Sequence, residues 1–217
     1  MKILNIVLIF IFSIVWTQSL YAKQIDSSPN FQEIEISPKV GLPFKATIFP
    51  ADSKRIAVFV PGSAFKKESW YELAEKLQQK GIAAISLDAR SYSSIKNTLM
   101  YLHDNKYEKF SLIGASIGGG SVTDIASAED TKGIIKIVAL APYGGSSIKN
   151  EKIDKLFIIA NEDNFGIYNS VLKQFQNSSK PKEFYSIESK MHAQHLFKTK
   201  HKDIIQQKMI DFILDVK

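Results

Sequence analysis

Five short apolar runs do most to restrict what this chain can fold into: IAVFV at 56–60, IAAIS at 82–86, FSLIG at 110–114, IIKIVAL at 134–140 and LFIIA at 156–160. Each is near-continuous. A strand with one face in water alternates apolar and polar residues, whereas a strand covered on both faces has no polar side. The runs therefore predict parallel strands sandwiched between helices. Upstream, FQEIEIS and FKATIFP alternate more and predict a more exposed antiparallel edge. KEFYSI at 182–187 is expected to be the last strand.

Helical periodicity fills the gaps. Trp70, Leu73, Ala74 and Leu77 keep i, i+3, i+4, i+7 spacing. Ser69 with Glu72 fits a capping box at the start of that helix, and Gly81 fits a left-handed stop at its end. Ile95, Leu99 and Leu102 mark a second helix, and Val122 to Ala128 a third that opens after a run of glycines. Val171, Leu172 and Phe175 mark a fourth, and Ile205, Met209, Phe212 and Ile213 the last. Strands alternating with helices make an α/β domain with right-handed crossovers. No linker divides it, and 217 residues suit one domain with a full core.

The N-terminus has a different character. Lys2 opens an apolar run from Ile3 to Trp16, followed by TQSLYA. A basic start, a short apolar stretch and the small residue Ala22 read as a secretory signal peptide over residues 1–22, leaving the α/β domain at 23–217. The run is shorter than the ~20 apolar residues of a spanning helix. Cleavage near Ala22, export to the periplasm or medium and no stable membrane insertion afterwards are the expectations. The chain has no cysteine, so an exported form must rely on packing and not on disulfides. The formal charge is +6, but the lysines are scattered over polar helix faces such as KLQQK and KTKHK. No nucleic-acid motif accompanies them, so solvated faces explain the charge.

The stretch with chemical content is LIGASIGGG, Leu112 to Gly120. Gly114, Ser116 and Gly118 fit G-x-S-x-G, a sharp strand-to-helix turn that displays a serine hydroxyl above a sheet. The glycines leave room two residues either side of a strained serine, and the motif follows an apolar strand and opens a helix, as that mechanism requires. A phosphate-binding loop fits less well: there is no G-x-x-x-x-G-K-[ST], and Ser116 occupies the second glycine position of G-x-G-x-x-G. A packing role for the small residues is the plain alternative.

A nucleophilic serine needs a base, and the chain has four histidines. His103 sits on a helix and His201, in KTKHKDI, reads as solvated. His192 and His195, in KMHAQHLF, follow the last strand, and His192 is nearer the strand end, where a base on a loop works best. His195 is the alternative. A carboxylate to orient the base comes from NEDN after LFIIA: Asp163, with Glu162 as the alternative. The order Ser116, Asp163, His192 is the Ser…Asp…His order of one hydrolase architecture. Two backbone N–H groups should face the developing oxyanion. One is that of Ile117, and the other comes from PGSAF at 61–65, with Ser63 first and Ala64 next.

These segments together resemble the α/β-hydrolase fold family, over nearly the whole chain from about Phe31 to Lys217. VFVPGSAFKKESWYELAEKLQQKGIAAISLDARSYSS is similar to the family's third-to-fourth-strand segment, with Pro61 where a histidine is usual and Ser91 where a glycine is usual. LIGASIGGG is similar to its G-x-S-x-G-G, and ANEDNF to its acid segment, which favours Asp163 over Glu162. MHAQHLF resembles the histidine segment of small dienelactone-hydrolase-like members, which favours His192. The resemblance implies a mostly parallel sheet with an antiparallel N-terminal edge and helices on both faces. It also implies hydrolysis through an acyl-enzyme on Ser116, with His192 moving the proton and Asp163 holding the imidazole. It implies a small-molecule acyl substrate and no metal or organic cofactor. Many members carry a helical lid after the sixth strand, but only 141–155 is available here, so the lid is expected to be absent or minimal. The open site would be bordered by Phe65, Tyr92, Tyr143 and Phe165, with Ala64, Phe65 and Tyr143 contacting substrate. Short-chain or small soluble carboxylic esters are the expected substrates. Acyl transfer or peptide hydrolysis by the same residues, or a non-catalytic binding protein on the same fold, are the alternatives.

Overall fold

Each apolar run forms a strand. A computed structural model describes residues 30–38 and 41–216, so the segment 1–22 read as a signal peptide lies outside the described residues. The strands are β1 (Gln32–Ile36), β2 (Phe44–Phe49), β3 (Arg55–Val60), β4 (Ala83–Leu87), β5 (Lys109–Ala115), β6 (Ile134–Leu140), β7 (Asp154–Ala160) and β8 (Lys182–Ile187). They form one eight-stranded sheet in the order β1-β2-β4-β3-β5-β6-β7-β8. β2 runs antiparallel to both of its neighbours, and all pairings from β4 to β8 are parallel. The burial follows the sequence pattern. β4 is buried throughout and β3 from its second residue on, while β1 is exposed at three of five positions.

Among the described residues, five α-helices cover the two faces: α1 (Tyr71–Gln79), α2 (Tyr92–Asp104), α3 (Ile117–Ser127), α4 (Tyr168–Asn177) and α5 (Lys202–Leu214). α1 packs against α5, and α2 against α3. The apolar stripe of α1 is buried as its spacing requires, with Trp70 stacked on Phe59 at 5.1 Å between ring centres. The capping box does not form. The chain enters α1 through a 3₁₀ turn at Lys67–Trp70, which places Ser69 inside the turn. Its hydroxyl donates to the Lys66 carbonyl at 2.6 Å. The Glu72 carboxylate pairs instead with Lys76 at 2.9 Å and with Lys202 at 2.6 Å.

α3 begins earlier than its apolar pattern suggests. Gly118, Gly119 and Gly120 form its first turn. Each glycine costs a helix about 1 kcal/mol relative to alanine, and here close packing requires the missing side chains. A Cβ on Gly118 would lie 2.6 Å from the Val60 and Pro61 carbonyl oxygens, and one on Gly119 would lie 2.9 Å from the Pro142 Cα. One on Gly120 would lie 2.5 Å from the Tyr143 carbonyl oxygen. The helix is thus pressed onto the end of β3 and onto the connection between β6 and β7. That connection, 141–153, contains no helix.

Parallel strands in register end together. Val60 lies beside Gly114, Ala115 beside Leu140, Leu140 beside Ile158, and Ala160 beside Ile187. The loops that follow β3, β5, β6, β7 and β8 therefore emerge along one edge of the sheet. In open α/β sheets, ligands bind at that carboxyl edge.

Candidate active site

Ser116 is the single residue between β5 and α3. Its backbone stands at φ 52° and ψ −123°, a conformation that costs a non-glycine residue about 1–3 kcal/mol. Neighbouring strands hold it there. Ser116 N–H donates to the Leu140 carbonyl at 3.0 Å, and the Ser116 carbonyl accepts from Gly120 N–H at 3.0 Å and Tyr143 N–H at 2.9 Å. A Cβ on Gly114 would collide with the Gly118 carbonyl, so the position two before the serine has no room for a side chain.

The hydroxyl raised by this turn meets the loop after β8. His192 Nε2 lies 2.8 Å from Ser116 Oγ, and His192 Nδ1 lies 2.8 Å from Asp163 Oδ2. Asp163 comes from the loop after β7, and its other oxygen, Oδ1, accepts from Phe165 N–H at 3.0 Å. Its side chain is 0% exposed and that of His192 is 5% exposed, so the pair is shielded from water. The Phe165 ring provides part of that shield, stacked on the imidazole at 4.2 Å between centres. With Nδ1 facing a carboxylate, the neutral ring carries its proton there and presents the Nε2 lone pair to the serine.

The alternatives lie elsewhere. Glu162 turns outward to Lys190 at 3.5 Å, and the His195 ring meets the edge of Phe65 at 4.8 Å. His103 is exposed on α2. Tyr92 lines a groove of about 580 Å³ between α2 and α3. Tyr143 and Phe165 face each other edge-on at 6.4 Å beside the serine, and Phe65 and Ala64 lie on the loop after β3. On that loop Gly62 approaches the serine closely enough that a Cβ would sit 3.2 Å from Ser116 Cβ. The backbone N–H groups of Ser63 and Ile117 donate to no acceptor among the described residues. Ile117 opens α3, where free N–H groups and the helix dipole concentrate partial positive charge. Sequence reasoning passed over Gln194, whose buried side-chain oxygen accepts from Gly62 N–H at 2.7 Å. The two residues are 132 apart in the chain, and nothing local to either marks the contact.

A family model described as "Alpha/beta hydrolase family" matches residues 56–203. The chain belongs to the alpha/beta hydrolase family. Among solved structures it is similar to a dienelactone hydrolase from Anabaena variabilis, at 18% identity and a TM-score of 0.68, over 86% of this chain and 99% of that one. It is also similar to an esterase from Pyrococcus furiosus, at 14% identity and a TM-score of 0.69, over 85% of this chain and 92% of that one. At these identities the likeness is one of fold. No curated protein matches the sequence.

Proposed function

We propose that this alpha/beta hydrolase is a serine esterase that cleaves small carboxylic esters through an acyl-enzyme on Ser116. The observation that carries the reading is the unbroken Asp163–His192–Ser116 hydrogen-bond chain at 2.8 Å per His contact, ending on a strained, displayed serine. In the first half-reaction Ser116 Oγ bonds to the ester carbonyl carbon while its proton passes to His192 Nε2. The carbonyl oxygen becomes an oxyanion facing the unused N–H groups of Ile117 and Ser63. His192 returns the proton to the departing alkoxide, and the C–O bond breaks. Water then repeats the sequence on the acyl-enzyme, releasing acid and free serine. Asp163 stays ionised and holds the imidazolium.

Two features support small esters as the class. The β6–β7 connection carries no helix to close over the serine. The exposed apolar side chains Ile117, Tyr143, Phe165 and Met191 belong to the residues flanking Ser116, Asp163 and His192, and they give the acyl or alkyl group an apolar border.

Labelling with a fluorophosphonate probe and turnover of a short p-nitrophenyl ester test the reading. The wild type labels at Ser116. Ser116→Ala abolishes labelling, and Ser116→Ala and His192→Ala each reduce turnover by roughly 10⁴-fold or more. A wild type that neither labels nor turns over esters overturns the proposal. Loss of turnover in His195→Ala but not in His192→Ala would reassign the base.

A further inference from the structure

The proposed chemistry uses Ser63 N–H but does not explain what aims it. Two consecutive peptide planes on the loop after β3 are pinned, each by a different device. The Pro61–Gly62 peptide has its carbonyl against Gly118, where a Cβ would lie 2.6 Å from that oxygen. Its N–H, on the opposite side, donates to Gln194 Oε1 at 2.7 Å. The Gly62–Ser63 peptide has its carbonyl closed into a turn by Phe65 N–H at 3.1 Å. Because the C=O and N–H of a trans peptide point opposite ways, that turn sends Ser63 N–H out on the other side.

Gln194 is 1% exposed, and both ends of its amide are used. Its Nε2 donates to Ser69 Oγ, and the Ser69 proton goes on to the Lys66 carbonyl. Only one amide orientation satisfies this chain, with the oxygen toward Gly62. Gln194 also lies two residues beyond His192, on the 3₁₀ turn Ala193–Lys198 that His192 caps. The first residue of that turn, Ala193, is buried at φ 48°. One side chain thus ties the histidine loop to the loop that carries Ser63.

We propose that Gln194 is a positioning residue that holds the 61–65 loop in register with His192, so that Ser63 N–H and the His192 imidazole address the same carbonyl. The inference rests on the serine-esterase reading above. Gln194 touches no reacting atom and acts through Gly62. Without the acceptor, a buried Gly62 N–H must seek another partner, and the Pro61–Gly62 peptide loses the hydrogen bond that fixes its N–H side. Misplacement of a catalytic donor by about 1 Å is enough to cost on the order of 10²-fold in rate.

Gln194→Met keeps the length of the side chain and removes the acceptor. Ser69→Ala removes the far end of the chain and keeps the acceptor. In Gln194→Met, kcat on a short ester is expected to fall about 10- to 100-fold, with KM within about threefold and the acid limb of the pH profile unmoved. That substitution leaves the His192 contacts with Asp163 and Ser116 in place. In Ser69→Ala, kcat stays within about threefold. Amide hydrogen exchange in the wild type gives a test that needs no variant and no activity: Gly62 N–H is expected to exchange far more slowly than Ser63 N–H. The proposal is overturned if Gln194→Met keeps its kcat, if KM rises in step with the loss, or if Ser69→Ala loses as much. Exchange of Gly62 as fast as Ser63 overturns it as well. A wild type inert toward esters counts against the serine-esterase reading alone, and the exchange measurement still decides whether Gln194 holds the loop.

Discussion

Of the three lysines buried among the described residues, Lys67 and Lys155 lie on opposite halves of the sheet in opposite circumstances. Lys67, on the antiparallel flank, is 5% exposed and every donor position is in use. Its ammonium reaches both oxygens of Glu33 at 2.8 and 2.9 Å, Tyr71 Oη at 2.8 Å, Thr47 Oγ1 at 3.0 Å and Glu68 at 3.3 Å. Lys155, the second residue of β7 in the parallel half, is 0% exposed and its Nζ has no hydrogen-bond partner among the described residues. Its neighbour in register on β8 is Lys182, a like charge. The same residue type is therefore a brace in one place and a burden in the other. Burial alone decides neither outcome; the partners do.

The titration behaviour follows. Burial opposes the charge of Lys67, but its hydrogen bonds to Glu33, Tyr71 and Glu68 outweigh that and hold its pKa above the usual lysine value. The hydrogen bond from Lys67, helped by Thr47, holds the Glu33 carboxyl below the usual carboxylate value of 4.5. For Lys155, burial lowers the pKa below 10.5, with Lys182 adding to the effect and Asp154 and Glu151 only partly opposing it.

The contrast breaks most visibly in Lys155→Met, which keeps the buried stem and removes the unpartnered charge. Denaturant unfolding at neutral pH should show a gain of about 2 kcal/mol, and a loss would mean that the ammonium has a partner. Lys67→Met should move the other way by about 1 kcal/mol, the loss being limited because Glu33 is half-exposed and regains water. The smallest effect is the pH dependence of these two differences. A raised lysine pKa contributes fully below 10.5 and is lost above it, and a lowered carboxylate pKa contributes fully above 4.5 and is lost as the pH falls through its folded value. The gap between wild type and Lys67→Met should therefore close below about pH 4.5. A lowered lysine pKa means that the unfolded chain binds more protons as the pH approaches 10.5, so stability rises with pH there. The gap between wild type and Lys155→Met should close on the alkaline side. A Lys155→Met gap that closes on the acid side, or a Lys67→Met gap that persists there, would undo the comparison.

What could be read in advance divides along similar lines. The strands were legible because burial on both faces leaves an unbroken apolar run, and IIKIVAL coincides with β6 from end to end. Helix starts were less so. Ser69 and Glu72 have the spacing of a capping box, but their partners are Lys66, Lys76 and Lys202, chosen by tertiary placement. The glycine run looked like the preface to a helix because propensity ignores what presses on it from β3 and Pro142. In the site, Ser116 could be nominated because it directly follows a recognisable strand within G-x-S-x-G, and Asp163 and His192 because they lie in the loops after two others. Gln194 could not, since its partners come from segments far away in the chain.

The serine turn also bears on the order in which the molecule comes together. Its backbone is held by Leu140 at the end of β6 and by Tyr143 in the loop that follows, and its first helical turn fits only beneath Val60 and Pro61. β5 and α3 alone supply none of those braces. The histidine that reaches the hydroxyl arrives 76 residues later in the chain. A nascent or half-assembled chain therefore carries Ser116 without its histidine contact, which forms only once the final strand and the loop beyond it have docked.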